Sequence, residues 1–147
     1  MTQIELKVFL CNIIMIKKIE HLGIAVKNIE ASTKMYETLL GKPAYKSEKV
    51  ESEGVNTLFF ELGESKIELL EATTTDSPIA KFIEKKGEGI HHIAYDVDNI
   101  EDEIKRLQEE GFELIHQKPK DGADQKKIAF LHPKSTGGVL VELCQDR

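Results

Sequence analysis

The segment Gly89-Ile90-His91-His92-Ile93-Ala94-Tyr95-Asp96-Val97-Asp98-Asn99-Ile100-Glu101 governs the reading of this chain. Ile90 to Val97 alternates apolar with polar or small residues, the period-two signature of a strand. Asp98 is then expected to begin a helix, with Glu101 as its capping-box partner. The early stretch His21-Leu22-Gly23-Ile24-Ala25-Val26-Lys27-Asn28-Ile29-Glu30 aligns beneath it at a single offset, 92 − 21 = 71, with five identities in ten residues. The shared histidine and the shared helix start identify a duplicated strand-then-helix module.

The rest of the chain follows that duplication. Lys18–Val26 is expected as the first strand, and Asn28 caps a helix reaching about Leu40. Ile29, Met35, Tyr36, Leu39 and Leu40 form its apolar stripe, and Gly41 with Pro43 ends it. Tyr45–Glu53, Val55–Leu62 and Lys66–Glu71 read as strands, with a hairpin turn at Gly63-Glu64-Ser65. Ser77-Pro78 starts a linking helix that runs to about Lys86. Beyond the His92 strand, a helix from Asp98 to Glu110 precedes strands at Phe112–His116, Lys126–Leu131 and Val139–Cys144, with a loop at Pro119 to Asp124.

The expected fold is therefore α+β, two tandem βαβββ modules in one domain over residues 15–147. Module one covers about 16–72 and module two about 89–145, with residues 1–14 as an N-terminal appendage. That appendage lacks the basic leader of a signal peptide and is too short to span a bilayer.

Composition narrows the function classes. At 147 residues and a net charge of −6, the chain has a core for one domain and no general attraction to nucleic acid or an acidic membrane. Cys11 and Cys144 have no metal-type spacing and suggest no disulfide scaffold, so the cytoplasm is the expected location.

Four polar residues fall into register across the repeat. His21 and His92 lie on the first strand of each module, and Glu68 and Glu142 on the last. Strand parity sets each on the face opposite its apolar neighbours: Leu22, Ile24 and Val26 beside His21, and Ile67 and Leu69 beside Glu68. The same parity assigns His91 and Tyr95 to the helix side, so His92 is the ligand of the adjacent pair. A carboxylate among apolar strand neighbours is costly to bury unless it is paired or metal-bound. Two imidazoles and two carboxylates together suit a hard-to-borderline divalent ion with open positions.

These residues carry a resemblance. Glu20-His21-Leu22-Gly23-Ile24-Ala25 is similar to the vicinal-oxygen-chelate, or glyoxalase-type, superfamily. Gly87-Glu88-Gly89-Ile90-His91-His92-Ile93-Ala94 and Phe130-Leu131-His132-Pro133-Lys134, leading into Gly138-Val139-Leu140-Val141-Glu142-Leu143, resemble its methylmalonyl-CoA epimerase family more specifically. The likeness covers about Ile16 to Gln145.

It implies a curved, partly barrel-like sheet with a metal held in its cleft by His21, Glu68, His92 and Glu142. The implied reaction interconverts the two C2 epimers of a CoA thioester, commonly in a homodimer. The implied ion is cobalt, with manganese, nickel, zinc or iron as substitutes. Inversion wants a base on each face of the carbon, and Glu142 and Glu68 are the expected pair.

Some relatives carry a glutamate where this chain has Thr57 and a glutamine where it has Glu68, which leaves the second base open, with Glu61 read as solvated. Lys134 is a candidate contact for the substrate's phosphates, as are Lys120, Lys126 and Lys127. His116 and His132 have no repeat partner and are read as structural or exposed. Other readings on this fold are a glyoxalase I-type metal isomerase, a ring-opening dioxygenase, against which the fourth ligand argues, and a metal-free small-molecule binder.

Overall fold

The computed structural model of the protein describes Gln3 and residues 16–147. The chain forms β1 (Ile16–Ala25), α1 (Ile29–Leu40), β2 (Lys46–Val50), β3 (Val55–Leu62) and β4 (Ser65–Ala72). After α2 (Pro78–Lys86) it repeats the order with β5 (Gly89–Val97), α3 (Ile100–Glu109), β6 (Lys120–Asp121), β7 (Lys126–Leu131) and β8 (Val141–Asp146). All eight strands join one sheet, ordered β2-β3-β4-β1-β5-β8-β7-β6. β1 pairs in parallel with β4, and β5 in parallel with β8, while β1 and β5 meet antiparallel between the modules. The sheet curls into a half-barrel, as the tandem βαβββ reading expects.

Apolar alternation determines which face each helix covers. Ile29, Tyr36 and Leu40 of α1 pack on Val26, Phe60 and Leu69, while Ile100, Ile104 and Leu107 of α3 pack on Val97, Leu114 and Leu143. Ile100 and Leu143 are fully buried, and each such side chain contributes about 1.5–3 kcal/mol relative to exposure. Tyr95 joins the α3 core, on the side that parity assigned. With both helices behind the sheet, the opposite face is free to line a cleft.

Several details depart from the sequence reading. Asn99, not Asp98, is the N-cap of α3, its Oδ1 accepting from Asp102 N at 3.1 Å. Asn28 does the same for α1, accepting from Ala31 N at 2.9 Å, so the caps too are 71 residues apart. In α1, Met35 and Leu39 are exposed, because the apolar stripe is wider than the strip of sheet the helix covers. The strand expected over Tyr45–Glu53 stops at Val50, where Glu51–Glu53 tightens into a 3-10 turn closed by Gly54 at φ 62°.

In place of a strand at Phe112–His116 there is one bridge, Leu114 to Leu131. The loop expected at Pro119 to Asp124 instead supplies β6, joined to β7 by a turn in which Asp124 and Gln125 both take φ 57°. β8 begins at Val141 rather than Val139, after a turn in which Gly137 and Gly138 both have positive φ. Apart from Gln3, the proposed appendage 1–14 lies outside the described residues, as does Cys11. Among the described residues no helix is long and apolar enough to cross a membrane.

Candidate metal centre

The centre lies on the β1–β5 seam. Gly23 on β1 is flanked by Glu68 on β4 and by His92 on β5. One pleat away, Ala94 on β5 is flanked by His21 on β1 and Glu142 on β8. Gly23 and Ala94 are themselves 71 residues apart, so the two rows exchange under the repeat. Each row consists of a small residue with a histidine on one side and a glutamate on the other.

The four side chains converge and are all buried. His21 Nε2 lies 3.0 Å from His92 Nε2 and 3.1 Å from Glu68 Oε2. His92 Nε2 lies 3.2 Å from Glu142 Oε2 and 3.6 Å from Glu68 Oε2, and Glu142 Oε1 is 3.9 Å from His21 Nε2. Ligands about 2.0–2.2 Å from a common ion sit roughly 3.0–3.5 Å apart at neighbouring positions, so the spacing fits a shared divalent ion. Cys144 also comes near His21 and Glu142. Its thiol, however, donates to Tyr95 O at 3.4 Å, and burial holds it protonated; the imidazole–carboxylate set is the better-matched group.

Burial and mutual charge set how tightly these side chains hold their protons. Burial alone would depress His21, but Glu68, Glu142 and Glu20 outweigh it and raise its pKa to about 10. His92 is pushed well down by burial and by the neighbouring His21 and His91. Burial raises Glu142 to about 7, partly offset by His21. The cluster therefore stores protons that a cation would displace.

Around the centre lies a cleft of about 390 Å³, walled by Thr57, Phe59, Leu70, Ile79, Ile128 and Phe130. Thr57 is buried, and its hydroxyl donates to Glu48 O at 2.9 Å. Glu61 is exposed, as expected. Lys134 stands in the turn Pro133–Ser135, pairs with Glu113 at 3.1 Å and is not among the residues lining the cleft. Lys120 and Lys126 line it, and Lys127 faces out to Glu101. His116 also lines it, whereas His132 Nδ1 accepts from Lys134 N.

Parity misplaced one residue and hid another. His91 is not on the helix side: it lines the cleft, its Nδ1 2.9 Å from His92 Nδ1. Glu20 is buried beside His21, with its Oε1 3.5 Å from His21 Nδ1. The cause is a pair of β-bulges. The β1–β5 register slips between Ile19 and His21, leaving Glu20 unpaired, and again between Gly23 and Ile24, leaving His91 unpaired. A bulge suspends alternation and brings neighbours toward one face.

Comparison with known proteins identifies the family and the fold. Residues 20–130 match the model of the Glyoxalase/Bleomycin resistance protein/Dioxygenase superfamily. The chain belongs to this superfamily. It is 43% identical over 130 residues to the uncharacterized protein YqjC of Bacillus subtilis, covering 88% of this chain and 93% of that one. It is 41% identical to the ethylmalonyl-CoA/methylmalonyl-CoA epimerase of Cereibacter sphaeroides, covering 89% of this chain and 99% of the relative. A solved variant of the Streptomyces coelicolor methylmalonyl-CoA epimerase, in complex with 2-nitronate-propionyl-CoA, superposes with a TM-score of 0.86 at 31% identity, covering 89% and 95% of the two chains. Two of these three relatives are named as epimerases, which are isomerases, in line with the resemblance.

Proposed function

We propose that this protein interconverts (2R)- and (2S)-methylmalonyl-CoA and that His21, Glu68, His92 and Glu142 hold a divalent ion for that reaction. The observation that carries the reading is the pairing of two carboxylates, one from each module, beside two imidazoles on the floor of an apolar cleft. Relatives named for that substrate add their weight.

The hydrogen at C2, between a thioester and a carboxylate, is weakly acidic. An ion held at the centre supplies Lewis-acid stabilisation of negative charge developing on the substrate oxygens. In this reading one carboxylate, Glu142 or Glu68 according to the epimer bound, takes the C2 proton. The C–H electron pair moves into the adjoining carbonyl system as an enolate. The opposite glutamate, protonated beforehand, returns a proton to the other face. Inversion thus consumes no net proton and leaves the two glutamates with exchanged protonation states.

Thr57 has no basicity to offer, which supports Glu68 as the second base. Phe59, Leu70, Ile79 and Phe130 keep bulk water from the carbanion carbon. Lys134, outside the cleft lining, would meet only the outer, phosphate-bearing end of the ligand. Cobalt is the preferred ion, with manganese, nickel, zinc and iron(II) also suited to an N2O2 set. The protein would work in the cytoplasm as a homodimer in which each chain carries a complete centre.

The test is deuterium exchange at C2 of methylmalonyl-CoA in D2O with the Co2+-loaded protein. Exchange accompanied by epimerisation is expected; absence of exchange from both stereoisomers overturns the reading.

A further inference from the structure

Each ligand histidine is backed on its other ring nitrogen by the residue just before it, and both backing residues come from bulges. His21 Nδ1 is buried, makes no hydrogen bond among the described residues, and lies 3.5 Å from Glu20 Oε1. Glu20 is itself buried and anchored by Lys66, Nζ to Oε1 3.1 Å, with Lys126 3.9 Å from Oε2. Lys66 is held in turn by Asp124 at 2.7 Å, and Lys126 by Asp146. His92 Nδ1 lies 2.9 Å from His91 Nδ1, and the His91 ring is wedged edge-on against Phe82 with centroids 4.9 Å apart.

An unbroken strand would point Glu20 and His91 away from the cleft. Two of the three register slips along the β1–β5 pair fall at these residues, 71 apart, and they give both modules the same device. A polar group placed against the far nitrogen of a metal-binding imidazole fixes which nitrogen carries the proton and how the ring is turned.

We infer that Glu20 and His91 are positioning residues that hold His21 and His92 as Nδ1–H tautomers, leaving both Nε2 lone pairs for the ion. This rests on the reading of the four residues as metal ligands. The two backings differ chemically. Glu20 is a pure acceptor, whereas His91 can accept from His92 only as its own Nε2–H tautomer. With an ion bound, the seam would hold three neutral imidazoles in two specified tautomeric forms. Loss of such a backing group typically weakens metal affinity by about 10–100-fold.

The experiment measures Co2+ affinity by competition with a chelator. Glu20→Ala and His91→Phe should each bind about 10–100-fold more weakly than the parent. Glu20→Gln and His91→Asn, which keep an acceptor, should recover most of that loss. A structural role alone would show no such rescue. Affinities equal to the parent's in Glu20→Ala and His91→Phe overturn the inference.

A second measurement needs no variant. Ring 15N–1H spectra of the Zn2+-loaded parent should show Nδ1–H on His21 and His92 and Nε2–H on His91. Nδ1–H on His91 also overturns it. A parent that takes up neither ion ends the metal reading itself, a failure distinguishable from the other two.

Discussion

Gly23 lies beneath the imidazole of His92: a Cβ at residue 23 would sit 2.1 Å from His92 Cε1 and 2.3 Å from Nδ1. The ring occupies the volume any larger residue would need, so the glycine is required by close approach. Gly23→Ala should displace the ring, weaken Co2+ binding by at least about tenfold, and cost about 1–3 kcal/mol as overpacking. Chelator competition and urea unfolding read the two effects. Parent-like affinity would mean that the ring can shift without losing its role as a ligand.

Replacing either glutamate by glutamine keeps an oxygen ligand but removes the base. Glu142→Gln and Glu68→Gln should retain metal and epimerise about 10²–10⁴-fold more slowly. The two defects should differ in kind. Each variant should still exchange the C2 proton of one stereoisomer with solvent while failing to invert it, and exchange measured separately on each isomer shows which. Glu68→Gln at the parent rate, with metal in place, would reduce Glu68 to a ligand.

The metal-free protein should lose stability between pH 7 and 9. His21 is raised to about 10, so across this window the folded state keeps a proton that the unfolded state has released. Stability then falls with rising pH by about 1.4 kcal/mol per unit for each such proton. Glu142, raised to about 7, acts in the same direction at lower pH, between about 4.5 and 7. Co2+ displaces the His21 proton, so its affinity should climb by about tenfold per pH unit over the same window. Urea unfolding of the chelated protein and metal titrations at each pH test both halves; affinity that does not vary with pH would show that no proton is displaced.

Mixing inactive His21→Ala chains with inactive Glu142→Ala chains should restore no activity. All four proposed ligands converge within one chain, so on this reading a dimer has no ligand to lend. Activity regained in the mixture would mean that centres are shared between chains.

The duplicated order, the helices α1, α2 and α3 and the four converging side chains were legible because each depends on local period and on one offset. Where that period fails, so did the reading. The bulge at His91 left no mark in composition, and strict alternation therefore sent His91 to the wrong face and overlooked Glu20. Phe112–His116 has strand-like residues, yet the segment keeps only one bridge: Leu114 is drawn into the α3 core while Ile115 stays exposed. Asp98 and Asn99 are both good caps by type, and only the backbone shows that Asn99 takes the extended conformation, φ −139° and ψ 104°. Met35 and Leu39 illustrate a different limit, since periodicity defines a stripe but not the width of the surface that meets it.

The alternation of rows, Glu68–Gly23–His92 beside Glu142–Ala94–His21, bears on handedness. A catalyst that inverts a stereocentre has to offer a base to each face of one carbon, although every residue in it is chiral. A local rotation axis exchanging the two glutamates meets that requirement through chain architecture, without tuning each side separately. The exchange is not exact: Ala94 has a methyl that Gly23 lacks, and His91 has an imidazole where the other half has a carboxylate at Glu20. Any difference between the proton-exchange behaviour of Glu68 and that of Glu142 should be sought first at those two positions.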